Sequence, residues 1–432
     1  MRSQDTLKRA WRLLPHEAAD RVLDTKEMEW LVTTVEDGET VDGIWQSSAA
    51  KYGPDAKQAL QSSTAARCPW TCRRAPKGAL GTGLSQSWQG YHVCMTEQPN
   101  SSPFSAAAAA QPEGAGAVLL DADATAAYLP WRALTEELAM VLRDPGVIVP
   151  ARMVLPLASG GTLFVMPAND SQVALTKLIT FTPGNAGSAR PTIQGDVVVF
   201  DVATGTRRLV LDGPTVTARR TAAVSLLAAS QLARVPQGPL LIVGAGVQGA
   251  SHLDAFVNGL GVKEVVIASR SAASAEALAE QARAMGATAR TVQDPNDALA
   301  ECPLVVTCTP ASGVVLHAQP REDAFIAAVG AFTPTMVELS AELCRHMVST
   351  GNVLVDTKDA VHEAGDLLQA KLDVAAMSTL GDLLRGVYTP GDGPTLFKSC
   401  GWGGWDLAAA RVALLRQNDT QKQGVSATLN QG

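Results

Sequence analysis

The chain has 432 residues, 46% hydrophobic and 18% charged, with a formal net charge of −7; this suits two or three globular domains and argues against a nucleic-acid partner. No apolar run reaches the roughly 18 residues of a membrane helix, and no apolar segment follows the charged residues 1–9 as a secretory signal requires, so the cytoplasm is the expected compartment. Seven irregularly spaced cysteines exclude a disulfide framework, and no His/Cys/Asp group has metal-ligand spacing, so no metal is expected.

In chain order, residues 1–35 place Leu7, Trp11, Leu14 and Ala18 at helical spacing. Residues 46–94 show no sustained period, and the close pair Cys68 and Cys72 lacks a second pair to complete a metal site. Residues 95–116, with an alanine run at 106–110, read as a flexible low-complexity stretch. Residues 1–116 are therefore expected to be a poorly ordered extension without chemistry, unless the chain truly starts at Met95 and residues 1–94 merely precede it.

From residue 117 the pattern is dense. Residues 117–121 predict a strand, and 129–142 an amphipathic helix with Pro130 in its first turn. Strands are expected at 153–157, 162–166, 174–181 and 194–201. A turn over 201–207, with Gly205 left-handed, leads to a returning strand at 209–213. A long alanine-rich helix over 215–233 closes a mostly antiparallel, β-rich block.

Residues 239–256 then read strand, glycine turn, helix, and 264–268 supply a second strand within about 30 residues, as a dinucleotide-binding βαβ unit requires. In the turn Gly244-Ala245-Gly246-Val247-Gln248-Gly249, Gly244 allows the tight bend, Gly246 the approach of pyrophosphate, and Gly249 close helix packing; the helix N-terminus would hold the phosphate. The second strand ends in Ser269-Arg270-Ser271 with no acid. A carboxylate there would repel a ribose 2′-phosphate, whereas Arg270 and its flanking hydroxyls would bind one, so NADPH is the expected cofactor, with NADH possible. Buried strands at 303–310, 324–330 and 353–356 follow. Their C-terminal ends would place Thr307, Thr309 and the Val329–Ala331 segment near the nicotinamide. His252 and His362 read as helix residues with satisfied hydrogen bonds, Cys308 and Cys400 as buried small hydrophobes, and Trp402 and Trp405 as packing residues.

From Ala117 to about Leu415 the chain resembles the ornithine cyclodeaminase/mu-crystallin family. The resemblance rests on Val149-Pro-Ala-Arg152, Ala174-Leu-Thr-Lys177, Arg190-Pro-Thr-Ile-Gln-Gly195, residues 212–223, the glycine turn, His362-Glu-Ala-Gly-Asp366 and Leu396-Phe-Lys-Ser399. It implies an α/β fold: a Rossmann dinucleotide-binding domain (237–358) plus a β-rich α+β substrate/dimerisation domain. That second domain would be built from both flanking segments, 117–236 and a return segment 359–418, with a flexible tail from 419. It also implies a homodimer. Arg152 and Arg220 match positions that bind the substrate carboxylate, and Lys177 matches the lysine beside the reacting carbon. Thr192, Arg219, Val247, Gln248 and Ser269 match cofactor contacts, with Arg220 and Ser399 expected at the same cleft.

Cyclodeaminases of this family carry an aspartate after the strand at 324–330; here Phe332 stands there, in Val329-Gly-Ala-Phe-Thr-Pro334. That form, and Lys398-Ser-Cys-Gly-Trp-Gly-Gly-Trp-Asp406, are similar to the branch that reduces Δ1-pyrroline-2-carboxylate and Δ1-piperideine-2-carboxylate. The expected function is therefore NADPH-dependent ketimine reduction of a small cyclic imino acid. The alternatives are ornithine cyclodeaminase, an amino-acid dehydrogenase, or a non-enzymatic NADPH binder. Lys177 could donate a proton or simply add positive charge; the residues leave both open.

Overall fold

The computed structural model describes residues 117–429, apart from 159, 186, 187, 189 and 311, all within the unit Phe104–Gly432. The extension 1–116, with its cysteine pair, lies outside the described residues. The first layer opens with β1 (Val118–Leu120), α1 (Ala122–Tyr128) and α2 (Trp131–Val141). Trp131, Leu134, Leu138 and Val141 form the buried stripe of α2 at i, i+3, i+7 and i+10. Pro130 is the N-cap of that helix rather than a first-turn residue; its extended backbone sets the helix entry. Strands β2 (Met153–Pro156), β3 (Thr162–Asn169), β4 (Val173–Phe181), β5 (Ile193–Asp201) and β6 (Arg207–Asp212) follow, then α3 (Gly213–Leu232). They form a six-stranded sheet in the order β1-β6-β5-β4-β3-β2, antiparallel except where β1 joins β6. Strand alternation sends Val173, Leu175, Lys177 and Ile179 of β4 to the covered face. The N-terminus of α3 is fixed by Asp212, whose side chain accepts from Thr215 N, with Pro214 in the first turn.

The second layer comprises β7 (Leu240–Val243), α4 (Val247–Ala255), β8 (Glu264–Ala268), α5 (Ala272–Ala284), β9 (Thr288–Val292), β10 (Leu304–Thr307), β11 (Ser312–Leu316), β12 (Phe325–Ala328), β13 (Val337–Leu339), α6 (Ala341–Thr350), β14 (Asn352–Val355), α7 (Gly365–Gln369), β15 (Ser378–Thr379), α8 (Leu380–Leu384) and β16 (Thr395–Lys398). Eight of these strands form a parallel sheet ordered β15-β14-β16-β12-β10-β7-β8-β9. Strands β7, β10 and β12 at the centre are apolar apart from Thr307 at the end of β10, because helices cover both faces. The chain runs outward from β7 through β8 to β9, then returns to place β10 on β7's other side. This reversal opens a crevice at the carboxyl ends of β7 and β10, where such sheets bind ligands.

Two boundaries differ from expectation. The return segment gives β15 and β16 to the parallel sheet instead of to the first domain, so that sheet extends well past residue 358. β16 inserts between β12 and β14, and a strand buried on both faces shows no alternation to mark it. Of the return segment's helices and strands, α9 (Gly403–Leu429) packs along the first layer, and it is helical to Leu429, into the expected tail. Arg411 fixes it there: Nε lies 2.6 Å from Asp170, Nη1 3.1 Å from Glu137 and Nη2 2.7 Å from Asp144. Among the described residues, no helix is long and apolar enough to cross a membrane.

Candidate active site

The glycine turn is shaped for a phosphate. Gly244 has φ +115°, open to glycine but strained for other residues, and a Cβ there would lie 2.8 Å from Cys308 O. A Cβ on Gly246, the N-cap of α4, would meet nothing within 4 Å, which leaves room above the first free N–H groups of α4. A Cβ on Gly249 would sit 2.0 Å from Gly244 O. Gly249→Ala must therefore push α4 away from the turn, and dinucleotide binding is expected to weaken at least about tenfold, measured by fluorescence titration. Val247 is 71% exposed at the mouth, Ala245 is half-buried behind it, and Gln248 Oε1 is buried without a hydrogen-bond partner. The turn thus fits a dinucleotide pyrophosphate. Beyond β8, Ser269 is half-buried, Arg270 and Ser271 are exposed, and Ser271 caps α5 by accepting from Ser274 N.

Arg219 is firmly held. Its Nη1 lies 3.2 Å from Asp254 Oδ2, its Nε donates to Leu129 O at 3.0 Å, and its guanidinium stacks 3.9 Å over Trp131. It nevertheless lines a cleft of about 250 Å³ with Pro214, Val247 and Ser251, which places it beside the mouth of the turn. Thr192 precedes β5 in the first layer, its carbonyl accepting from Thr182 N. No hydrogen bond or ion pair among the described residues joins it to the turn.

The expected substrate residues gather around a residue the sequence reading missed. Lys177 of β4 and Arg220 of α3 are buried against Asp406, in the first turn of α9, which is wholly inaccessible. Lys177 Nζ donates to Asp406 Oδ1 at 3.0 Å and lies 2.8 Å from Oδ2; Arg220 Nε lies 3.4 Å from Oδ1. The far nitrogens of Arg220 pass Gly401, where a Cβ would lie 3.2 Å from Nη1. Burial, reinforced by the charges of Arg220 and Arg152, pulls Lys177 down to about 8, although Asp406 opposes the fall. Arg152 pairs with Glu363, whose carboxyl burial pushes up against the pull of that arginine.

At the ends of β10 and β12 a second buried group organises the crevice. Glu338 accepts from Thr307 Oγ1 at 2.9 Å, Thr309 N at 2.7 Å, Thr309 Oγ1 at 2.8 Å and Gly330 N at 2.7 Å. Asp366 accepts from Glu338 N and Leu339 N and pairs with Lys398 Nζ at 2.9 Å. Val329 and Ala331 are buried, and Val329 N donates to Thr307 O. Ser399 Oγ, Cys400 N and Gly401 N all donate to Asp356 Oδ2 at 2.8 Å, so the Ser399 hydroxyl is committed within the protein. His252 is buried and bonded to Gln248 O and Ser225 Oγ, and burial lowers it to about 4. His362 is exposed at the end of a single 3-10 turn, not within a longer helix. Cys400 is buried but Cys308 only partly so; its thiol donates to Gly244 O at 3.3 Å, beneath the turn. Trp402 and Trp405 pack edge to face at 5.0 Å. No group of three or more potential metal ligands occurs among the described residues.

A parallel sheet with a pyrophosphate-shaped first turn and a charged pocket beside its switch point defines a Rossmann-type dinucleotide-binding protein. More narrowly, the chain belongs to the ornithine cyclodeaminase/mu-crystallin family, whose model matches residues 133–421. It is 38% identical over 299 residues to the Delta(1)-pyrroline-2-carboxylate reductase 1 of Burkholderia multivorans, covering 68% of this chain and 94% of that protein. It is 37% identical over 299 residues to the Delta(1)-pyrroline-2-carboxylate/Delta(1)-piperideine-2-carboxylate reductase of Azospirillum brasilense, with the same coverage of 68% and 94%. Among solved structures it shares a fold with the Thermococcus litoralis Delta(1)-pyrroline-2-carboxylate reductase in complex with NADH and L-proline: TM-score 0.64, 23% identity, 71% of this chain and 98% of that one.

Proposed function

We propose that the protein is an oxidoreductase that reduces cyclic imino acids at C=N, forming L-proline from Δ1-pyrroline-2-carboxylate and L-pipecolate from Δ1-piperideine-2-carboxylate. The observation that carries the reading is the buried Lys177–Asp406–Arg220 group beside Arg152, supported by the relatives' names. Arg152 and Arg220 anchor the substrate carboxylate through charge-assisted hydrogen bonds. Lys177 lies at the imine. NADPH, when bound, supplies the hydride. The glycine turn, Ser269, Arg270 and Ser271 hold the dinucleotide, and the Thr309 and Val329–Ala331 segments face its nicotinamide. Phe332, 44% exposed, offers no proton where the cyclodeaminases carry an acid, which favours reduction over ammonia release.

The test is loss of reduced-nicotinamide absorbance with each imino acid. Oxidation on either ring, fastest with NADPH, supports the reading; no oxidation on either overturns it. Arg270 is the residue expected to set the cofactor preference. Arg270→Ala should raise KM for NADPH about tenfold and leave KM for NADH unchanged, as loss of a charge-assisted phosphate contact predicts.

We also infer a cytoplasmic homodimer. On the sheet face away from Lys177, the register aligns Met153, Val165 and Leu178, and beside them Leu155 and Leu163. Met153 is 55%, Leu155 42% and Leu178 38% exposed, an apolar patch that a second copy would cover. Light scattering is expected to give twice the chain mass, and Leu178→Glu to give a monomer.

A further inference from the structure

We propose that Asp406 is a positioning residue for the reduction, holding Lys177 so that its free N–H points at the imine nitrogen and not at the substrate carboxylate. The inference rests on the proposed ketimine reductase reading. Three geometric facts carry it. Both oxygens of Asp406 lie within 3.0 Å of Lys177 Nζ, so one side of the ammonium is fixed. The same carboxylate sits 3.4 Å from Arg220 Nε, so it fixes the lysine relative to the arginine that anchors substrate. Finally, α9 cannot easily shift, because Arg411 binds three carboxylates of the first layer.

Charge gives this geometry its purpose. Lys177 stands between Met166 of β3 and Val197 of β5, neither of which is charged. The charged groups facing it are Asp406 from α9, Arg220 from α3 and Arg152 ahead of β2, and Arg152 is in turn offset by Glu363. With Lys177 protonated, these five groups sum to one positive charge, matching a monocarboxylate. Without Asp406 they would sum to two, and a loose ammonium would pair with the substrate carboxylate. In the step itself, Nζ gives a proton to the ring nitrogen as the C=N electron pair moves onto it. The reduced dinucleotide, when bound, would supply the hydride that the ring carbon accepts and be left oxidised, and Lys177 recovers its proton from water.

The experiment compares wild type, Asp406→Asn and Asp406→Glu as intact enzyme. One measurement is the pH profile of kcat and KM. The other, independent of turnover, is calorimetric binding of pyrrole-2-carboxylate, a planar analogue, across the same pH range. Asp406→Asn should lower kcat about a hundredfold with KM for imino acid changed less than about threefold. Both its activity and its analogue binding should lose their alkaline limb about one pH unit earlier than wild type, because an attractive charge beside the ammonium is gone. Asp406→Glu, which keeps the charge but moves it by one methylene, should retain the limb and lose kcat about tenfold. An unmoved limb in Asp406→Asn overturns the proposal. If that variant does not fold, wild-type kcat in Asp406→Glu overturns it instead. Failure of the wild type to reduce either imino acid sinks the function reading, while the analogue-binding limb still decides the role of Asp406.

Discussion

Lys177→Met is expected to lower kcat for either imino acid by about 10²–10⁴-fold, the usual contribution of a positioned general acid. Methionine keeps the side-chain volume beneath the sheet but carries no proton. KM should rise much less, since Arg152 and Arg220, proposed to hold the carboxylate, both remain. The wild-type pH profile offers a second check. Lys177 is drawn down to about 8 by burial, so the active ammonium is lost as pH rises through that value. Stability moves the other way. A lysine whose folded pKa lies below its unfolded value binds more protons unfolded than folded between about 8 and the ordinary 10.5, so its contribution to stability rises with pH across that window. Activity falling above pH 8 without a falling melting temperature would therefore be titration rather than unfolding. A kcat within tenfold of wild type in Lys177→Met would reduce the lysine to a source of positive charge.

How far the sequence led depended on whether a signal was local. The β7–α4–β8 unit was legible because three glycines and two apolar strands sit within a short span, and the structure places those strands at the expected residues. The residue pattern predicts a strand ending at Met166, yet β3 runs to Asn169 with Pro167 inside it. The proline is tolerated because β2 pairs only with residues 162–165, so at Pro167 no β2 carbonyl waits for the missing N–H. The basic residues of the pocket were legible because Lys177 and Arg220 lie in family-like motifs. The role of their acidic partner was not, although Asp406 closes the family-like stretch from Lys398: it lies 229 residues from Lys177, and an aspartate in the first turn of a helix is ordinary. Glu338, Asp366 and Lys398 likewise come from separate segments. The one available hint was Lys398 itself, a lysine in the apolar run Thr395-Leu-Phe-Lys398, where a charge needs a buried partner.

Lys398→Met should cost the most stability. Lys398 is fully buried in the centre of the parallel sheet, its Nζ 2.9 Å from Asp366 Oδ2 and 3.2 Å from Ala328 O. Burial alone would lower its pKa, but the charges of Asp366 and Glu338 outweigh that and raise it. Removing the ammonium leaves two buried carboxylates, Asp366 and Glu338, without a compensating cation, and breaking a buried pair from one side typically costs about 3–5 kcal/mol. The loss should depend on pH. Burial already holds the Glu338 carboxyl above its ordinary range, so the folded state takes a proton more readily than the unfolded one. The stability tied to that proton is present at low pH and lost as pH rises through the folded pKa. Urea unfolding should therefore show a large deficit at about pH 8 that narrows toward about pH 5.5, and Lys398→Met with Asp366→Asn should recover part of it by removing the orphaned charge. The functional consequence follows from what Glu338 holds. Its oxygens receive Thr309 and Gly330, so a protonated or displaced Glu338 releases the strand ends proposed to face the nicotinamide, and KM for the dinucleotide should rise in the variant even where it remains folded. A Lys398→Met protein as stable as wild type at pH 8 would mean that packing around β16, not its buried charge, keeps those strand ends in place.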